Sequence, residues 1–329
     1  MTSEGPRISS FATAMIAVMG CASTPPRPAA TTQPPENRST LAPAPAEIPL
    51  STDVRIADVG LKVPESILYD PESDLYLISN IQGSPLDIDN NGFITRMRPD
   101  GSIQDLKWID GERNGSNLSA PKGMAILADT LYVADVDHVR MFDRVTGAVK
   151  GQIKVVGATF LNDVAIGPDG TVYLTDSGLK MGTKGLEPSG TDAVYRLAGG
   201  RAVKVIKDKT LGNPNGIIAD EEGLWVATFG AGSVLRINLK GKVQFDVTFP
   251  KGGLDGILRL DSVLLVSSWK AQAIYAVPLS DLGTETSEPP FRAVLMGIHS
   301  PADIGFDTKR QRILVPLFED NAVVFHDYR

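Results

Sequence analysis

Cysteine and histidine are nearly missing from this sequence. The 329 residues include one cysteine and three histidines. A disulfide framework is therefore excluded, and a zinc site built from several of these side chains is not expected. Basic residues are not in excess either, because 32 Lys and Arg stand against 39 Asp and Glu, a net charge of −7. That balance argues against nucleic-acid binding, which needs clustered positive charge.

Long apolar runs and familiar catalytic signatures are also missing. The sequence contains no G-x-S-x-G elbow, no phosphate-binding loop and no H-E-x-x-H motif. The apolar run FATAMIAVMG, residues 11–20, is too short to span a bilayer as a helix and has the length of a signal-peptide core. The residues Val18-Met19-Gly20-Cys21 resemble a bacterial lipobox. We therefore predict a lipoprotein signal peptide over 1–20 and lipidation of Cys21, with a plain secretory signal as the alternative.

Proline is concentrated in the segment that follows. Eight of the 23 prolines fall between residues 22 and 49, among Ala and Thr. Proline has no amide donor for a helix or a sheet, so residues 21–50 are predicted to be an extended tether. A signal, a tether and then a folded domain predict an extracytoplasmic protein that is lipid-anchored to a bacterial envelope membrane, in the periplasm or at the cell surface. The anchor at Cys21 would be its sole membrane contact.

Residues 51–329 contain a short motif, here called the mark, six times. It reads PESI, PKGM, LNDV, PNGI, LDGI and PADI, beginning at residues 64, 121, 161, 214, 254 and 301. Each mark opens an apolar strand, and a second strand such as LYLIS or LYVAD begins 9 to 11 residues after the second residue of the mark. Successive marks lie 57, 40, 53, 40 and 47 residues apart.

Four short strands per repeat at this period predict an all-β fold, a six-bladed β-propeller. Only three strands remain after the sixth mark, so we predict that residues 53–59 supply the outermost strand of the last blade and close the ring. A β-sandwich with coincidental spacing is the alternative. The insertion 177–192, which is rich in glycine, is interpreted either as a lid or as a surface loop.

The marks predict a ring of side chains in the central channel. The second residue of each mark begins an innermost strand, and innermost strands line the channel of a propeller. The six residues are Glu65, Lys122, Asn162, Asn215, Asp255 and Ala302. Buried carboxylates and amides need partners, and an oxygen-only ligand set suits a hard divalent cation, calcium above magnesium. Alternatively, Asn and Asp at these positions only cap turns.

These marks resemble those of the SMP-30/gluconolactonase/LRE-like family, six-bladed propellers related to calcium-dependent lactonases. The resemblance covers about residues 51–329, looks closest to a bacterial lipoprotein subgroup, and rests on PES, LNDVAIGPDG, PNG and LDG. It implies that Glu65, Asn162, Asn215 and Asp255 bind a divalent metal, and that Asp255 is also the general base. Lys122 departs from this pattern, since it places a positive charge beside the proposed cation.

Lys122 has several possible roles in such a ring. It is predicted to turn toward Asp303 or Asp135, to weaken or replace the metal, or to stabilise an oxyanion as a second catalytic residue. Six residues on the same mouth are predicted to contact substrate: Asn80, Asp135, Asp176, Trp269, His299 and Asp303.

The resulting functional hypothesis is a divalent-metal-dependent hydrolase, gluconolactonase-like, acting on a small lactone or ester. The alternative is a non-catalytic envelope propeller that binds a peptide, a glycan or a partner protein, because the fold alone does not decide between the two.

Overall fold

β-Strands account for nearly all the regular structure of this chain. The structure, a computed structural model, describes residues 53–283 and 289–328. In these ranges there are 26 strands, and helical structure is limited to one 3-10 turn, Leu279–Asp281. No helix there has the length and apolar character needed to cross a bilayer. The predicted signal peptide, the tether and Cys21 lie outside the described residues.

Six four-stranded antiparallel sheets form the blades. The first blade contains β2 (Pro64–Asp70), β3 (Leu75–Asn80), β4 (Phe93–Met97) and β5 (Ile103–Asp110). The second contains β6 (Pro121–Leu127), β7 (Thr130–Asp135), β8 (His138–Asp143) and β9 (Val149–Lys154). The third contains β10 (Leu161–Ile166), β11 (Val172–Asp176), β14 (Ala193–Ala198) and β15 (Arg201–Lys207).

The remaining blades repeat this order. The fourth contains β16 (Pro214–Asp220), β17 (Gly223–Thr228), β18 (Ser233–Asn238) and β19 (Val243–Thr248). The fifth contains β20 (Leu254–Leu260), β21 (Val263–Ser268), β22 (Ala273–Pro278) and β23 (Arg292–Met296). The sixth contains β24 (Gly305–Asp307), β25 (Arg312–Leu317), β26 (Ala322–Asp327) and β1 (Val54–Ile56). The predicted six-bladed propeller is confirmed.

The core lies between blades, which explains why inner and outer strands differ in sequence. One cluster of buried apolar side chains fills each of the six interfaces between neighbouring blades. Second strands are covered on both faces, so all six residues of β3 are buried. Fourth strands border solvent, so β19 alternates half-buried and exposed residues over most of its length.

The N-terminal strand closes the ring, as the sequence predicts. β1 pairs with β26, with Val54 opposite Phe325 and Ile56 opposite Val323. It is shorter than the predicted span 53–59, because only residues 54–56 are paired in the sheet. The chain then passes from the last blade to the first, and the sheet edge of β26 is covered.

The insertion in the third blade is an ordered hairpin. β12 (Leu179–Gly182) pairs with β13 (Gly185–Pro188), and the amide of Ser189 donates to the carbonyl of Gly178 at 2.7 Å. It projects between the second and third strands of its blade, beside the channel end at which the marks lie. This end is called the mouth below.

Candidate metal centre

A β-bulge occurs at every mark. In the first blade Pro64 pairs with Asn80 but Ile67 pairs with Ile78, so one extra residue is inserted between them. The same shift occurs at the marks of the next four blades. In the sixth, Pro301 bridges Leu317 while Gly305 pairs with Leu314. A bulge turns consecutive side chains away from the regular alternation. This repeated local feature brings the second residue of each mark to the channel.

Four oxygen atoms at this level lack a hydrogen-bond partner although they are buried. They are Glu65 Oε2, Asn162 Oδ1, Asn215 Oδ1 and Asp255 Oδ1, called the oxygen ring below. Only three other side-chain polar atoms in the described part of the chain share this condition. Each of the four residues is 4% exposed. Because buried polar atoms are nearly always paired, four such oxygens from four different blades indicate a ligand-binding centre.

In two of these four side chains, a neighbouring group forms a hydrogen bond with the other polar atom. The amide of Asn162 donates through Nδ2 to Ser177 Oγ at 3.1 Å, which leaves Oδ1 free. The indole N–H of Trp269 donates to Asp255 Oδ2 at 2.8 Å, which leaves Oδ1 free.

The electrostatics of the ring favour a cation. Burial, followed by repulsion from Asp255 and Asp303, raises the pKa of Glu65 well above its usual value. Burial and repulsion from Asp303 likewise raise the pKa of Asp255. A divalent cation among these carboxylates would favour their ionised forms.

The four residues fit a hard divalent cation. Two carboxylates and two amide oxygens are ligand types that calcium accepts in irregular geometry. No group of three His, Cys, Asp or Glu that could hold a metal is found among residues 53–283 and 289–328. The fit therefore depends on the two asparagines as much as on the two acids.

Part of the chain matches the model of a known protein family. Residues 63–221 match the model of the SMP-30/Gluconolactonase/LRE-like region. This part of the chain, from β2 to β16, is similar to that family. The resemblance stated from the sequence is confirmed over these residues, whereas the lipoprotein subgroup stays a prediction. No curated protein matches the chain significantly.

Solved structures with a similar fold match most of this chain at low identity. A gluconolactonase from Xanthomonas campestris superposes with a TM-score of 0.62 at 15% identity, over 84% of this chain and 89% of that one. Regucalcin from Agrobacterium tumefaciens, described as a calcium-binding protein, gives 0.56 at 17%, over 84% and 95%. A streptogramin B lyase gives 0.57 at 10%, over 85% and 98%. At these identities the likeness concerns the fold.

Lys122 is buried at ring level and pairs with neither predicted partner. Its Nζ donates to the carbonyl of Ala120 at 2.9 Å and lies 4.6 Å from the centroid of the Phe160 ring. Among the described residues it forms no ion pair, so the prediction that it turns to pair with Asp303 or Asp135 is wrong. Burial lowers the pKa of Lys122 to about 8, although Glu65 and Asp135 oppose that shift.

A second acidic layer lies one residue further along the marks. Asp163 accepts the amides of Val164 at 2.6 Å and Ile217 at 2.8 Å, and Asp303 accepts Ser66 Oγ at 2.5 Å. Burial raises the pKa of Asp303 to about 7. Asp303 lies in this layer with Asp163, a residue that was not predicted from the sequence, and a role of Asp303 in substrate binding stays a prediction.

Glycine in the neighbouring marks makes room for these carboxylates. A Cβ atom on Gly123 would approach Asp163 Oδ1 to 2.0 Å, and one on Gly256 would come within 2.9 Å of Asp303 Oδ1. The third position of the marks is Gly in three blades and Asp in two, and this was the sequence signal that could have revealed the layer.

Three of the predicted substrate contacts are buried and hold loops at the mouth. Asn80 Oδ1 accepts the amide of Lys62 at 2.9 Å, Asp135 Oδ1 accepts that of Ala120 at 2.7 Å, and Asp176 Oδ1 accepts that of Phe160 at 3.0 Å. Their exposed fractions are 0–1%. These contacts explain the three side chains structurally, and a direct role in substrate binding stays a prediction.

The other two predicted contacts lie at the mouth. Trp269 is half-buried and reaches the oxygen ring through Asp255. The side chain of His299 is 49% exposed, with Nδ1 2.9 Å from Asp320 Oδ1 and Nε2 3.1 Å from Glu319 Oε2. Trp269 is therefore placed beside the candidate centre, whereas His299 belongs to a charged group on the rim.

Proposed function

We propose that this protein is a divalent-metal-dependent hydrolase of a small lactone or ester, with its active centre at the oxygen ring. The observation that carries the proposal is the set of four buried, unpartnered oxygens contributed by four blades. The family region and the likeness to a gluconolactonase fold support it. Calcium is the proposed ion, because the oxygen-only set suits it and one fold neighbour is described as calcium-binding.

The residues at the oxygen ring have different proposed roles. Glu65, Asn162, Asn215 and Asp255 would hold the cation, which when bound supplies Lewis-acid polarisation of a carbonyl oxygen. Asp255 has two alternative proposed roles, because Trp269 engages Oδ2 and leaves only Oδ1: this oxygen either binds the cation or, as general base, accepts the proton of an attacking water. Lys122 contributes a fixed positive charge at the level at which negative charge develops on the carbonyl oxygen.

The location of the protein is part of the same proposal. A signal peptide over 1–20 and lipidation of Cys21 would hold it, through the tether, at an envelope membrane of a bacterium. The partner in this scheme is the small-molecule substrate. Fractionation of cells that express the wild-type chain or Cys21→Ser tests it, since the variant should leave the membrane fraction.

Hydrolysis with and without a chelator tests the enzymatic part. The purified protein should contain one tightly held divalent ion by elemental analysis and hydrolyse members of a lactone and aryl-ester panel. Chelation and Asp255→Ala should each abolish turnover. In Lys122→Met, the ion should bind at least about tenfold more tightly because a nearby positive charge is removed, while kcat falls.

Two results would contradict the proposal. A protein that binds the ion but hydrolyses nothing in the panel would be a binding propeller. A folded protein that contains no ion and gains none on titration would rule out the metal centre itself.

A further inference from the structure

At the mouth, above the oxygen ring, lies the residue that follows the second strand of each blade; it is buried in the first three blades and half-buried in the last three. These residues are Ile81, Val136, Ser177, Phe229, Trp269 and Phe318. In five blades their amides donate to the carbonyl of the residue before the mark at 2.9–3.1 Å, which places them equivalently around the axis. Five of the six are apolar or aromatic, and these five are called the collar below.

Contacts between neighbouring side chains make the collar continuous. The Phe229 and Trp269 rings are 5.6 Å apart between centroids, and Trp269 and Phe318 are 5.2 Å apart. Phe318 in turn packs against the apolar cluster that contains Ile81 and Val136. The three aromatic side chains are half-buried, so the collar presents an aromatic wall over blades four to six.

Polar side chains at this level are already engaged within the protein. Ser177 Oγ accepts Asn162 Nδ2 and donates to the carbonyl of Pro214 at 2.6 Å. The Trp269 N–H is used by Asp255, and Asp135 Oδ2 accepts Arg140 Nε at 2.8 Å. The hydroxyl groups of a polyhydroxylated ligand would lose their hydrogen bonds to water on binding and would find no equivalent hydrogen-bond partners among these side chains. Each such hydroxyl lowers affinity by about fivefold or more.

A cleft of about 350 Å³ extends from the collar over blades one to three. Its lining includes Leu86, Ile88, Val136 and Met181, and Ile88 and Met181 are 66% and 47% exposed. The lining also contains charged residues: Asp87 is exposed, Asp137 pairs with Lys154 at 3.1 Å, and Lys180 pairs with Glu187 at 3.3 Å. Val136 belongs to both collar and cleft, so the two adjoin there, although Val136 itself is only 6% exposed.

We propose that the substrate carries an apolar alkyl or aryl group, which the collar and the cleft bind, and that polyhydroxylated sugar lactones are poor substrates. This inference rests on the proposed function and specifies its substrate class. Apolar surface buried between the substrate and the collar supplies the binding energy. The fixed hydrogen bonds of the mouth exclude ligands that need new polar partners.

Two lactones with the same six-membered ring test the proposal. With calcium bound, kcat/KM for δ-decanolactone should exceed that for glucono-δ-lactone at least about a hundredfold. Phe318→Ser should lower the value for δ-decanolactone about tenfold more than it lowers the value for glucono-δ-lactone. Met181→Glu, on the exposed hairpin, should act in the same direction without affecting folding. Val145→Ser is the matched control, since Val145 is 71% exposed in the turn between β8 and β9, at the channel end away from the mouth.

The outcomes separate this inference from the hydrolase proposal. Faster turnover of glucono-δ-lactone would overturn the apolar substrate class and leave the hydrolase proposal intact. A preference for δ-decanolactone that neither variant weakens would place its binding elsewhere and also overturn the inference. No turnover of any lactone or ester by the metal-loaded protein would remove both.

Discussion

Trp269 connects the aromatic wall with the oxygen ring. Its ring packs between Phe229 and Phe318 while its N–H holds Asp255 Oδ2. Outer partners of this kind fix the orientation of a metal-binding carboxylate. If Asp255 binds the proposed cation, Trp269 is a positioning residue as well as part of the mouth.

Trp269→Phe separates these two roles, because the aromatic ring is kept and the N–H donor is lost. We expect calcium affinity to fall about 10- to 100-fold, measured by isothermal titration calorimetry. The chain offers a matched control in Trp225→Phe, since Trp225 Nε1 also donates to an aspartate, Asp220, at 3.0 Å, outside the ring. Equal calcium affinity in both variants would contradict the positioning role.

The ring residues could be predicted from the sequence because each lies at a fixed place in a repeated motif. Glu65, Asn162, Asn215 and Asp255 needed no knowledge of neighbours in space. The direction of Lys122 could not be predicted in the same way, because it depends on Phe160 of the adjacent blade, which no spacing along the chain reveals. The layer of Asp163 and Asp303 does follow a position in the marks, but its contact with Ser66 joins two blades that are far apart in sequence.

Within the blades, hydroxyl groups of the second strands link each bulge to the next blade. Thr175 Oγ1 accepts the amide of Asp163 at 2.9 Å and donates to the carbonyl of Asn215 at 2.6 Å. Ser267 Oγ accepts the amide of Gly256 at 2.8 Å and donates to the carbonyl of Ala302 at 2.9 Å. These hydroxyls hold the backbone of Asn215 and Ala302, which are the second residues of their marks.

Thr175→Val tests this link at nearly constant volume. The variant leaves a buried amide and a buried carbonyl unpaired, so we expect a loss of about 1–3 kcal/mol in the free energy of unfolding, measured by urea denaturation. Thr248→Val on the exposed outer strand β19 is the control and should change stability by less than about 0.5 kcal/mol. A neutral result for Thr175→Val would mean that water replaces the hydroxyl.

Strand positions were predicted well where the pattern was local, and less well where pairing decided them. The predicted closing segment 53–59 was longer than β1, because its end must leave the sheet to reach the first blade. The hairpin β12–β13 was interpreted as a loop or lid, since its strands are short and largely exposed. A two-stranded pair of this size leaves little apolar periodicity in the sequence.

At the scale of the whole propeller, a charged cluster joins the first and last blades. Tyr76 Oη donates to Asp307 Oδ2 at 2.6 Å, and Arg310 contacts both Asp307 and Asp74 at 2.8 Å. Burial alone would raise the pKa of Asp307, but hydrogen bonds from Tyr76 and Arg310 hold it below its usual value. The hydrogen bonds of ionised Asp307 therefore join the last blade to the first, in addition to the pairing of β1 with β26.

The stability that Asp307 contributes should depend on pH. A carboxylate whose pKa is lowered by folding stabilises the protein fully above its unfolded pKa, about 3.9, and loses that contribution as pH falls through the folded value. Asp307→Asn should cost about 2–4 kcal/mol between pH 5 and 7, and the difference from wild type should shrink below pH 4. Urea unfolding at a series of pH values measures it.

Asp246→Asn, at an exposed position on β19, is the control and should show no comparable difference at any pH. A constant difference between wild type and Asp307→Asn down to pH 2 would mean that the shape of the side chain, and not its charge, matters at this junction.

The direction of β1 also determines how the molecule would be presented on a surface. The chain enters β1 at Asp53, whose carboxylate lies 2.7 Å from His326 Nδ1, near the end of β26 that pairs with Arg312. That end lies on the side of the propeller away from the mouth. If residues 21–50 tether the protein to a bilayer, the end of the propeller opposite the mouth would face the lipid. The mouth would then face the surrounding solution and the small molecules that diffuse in it.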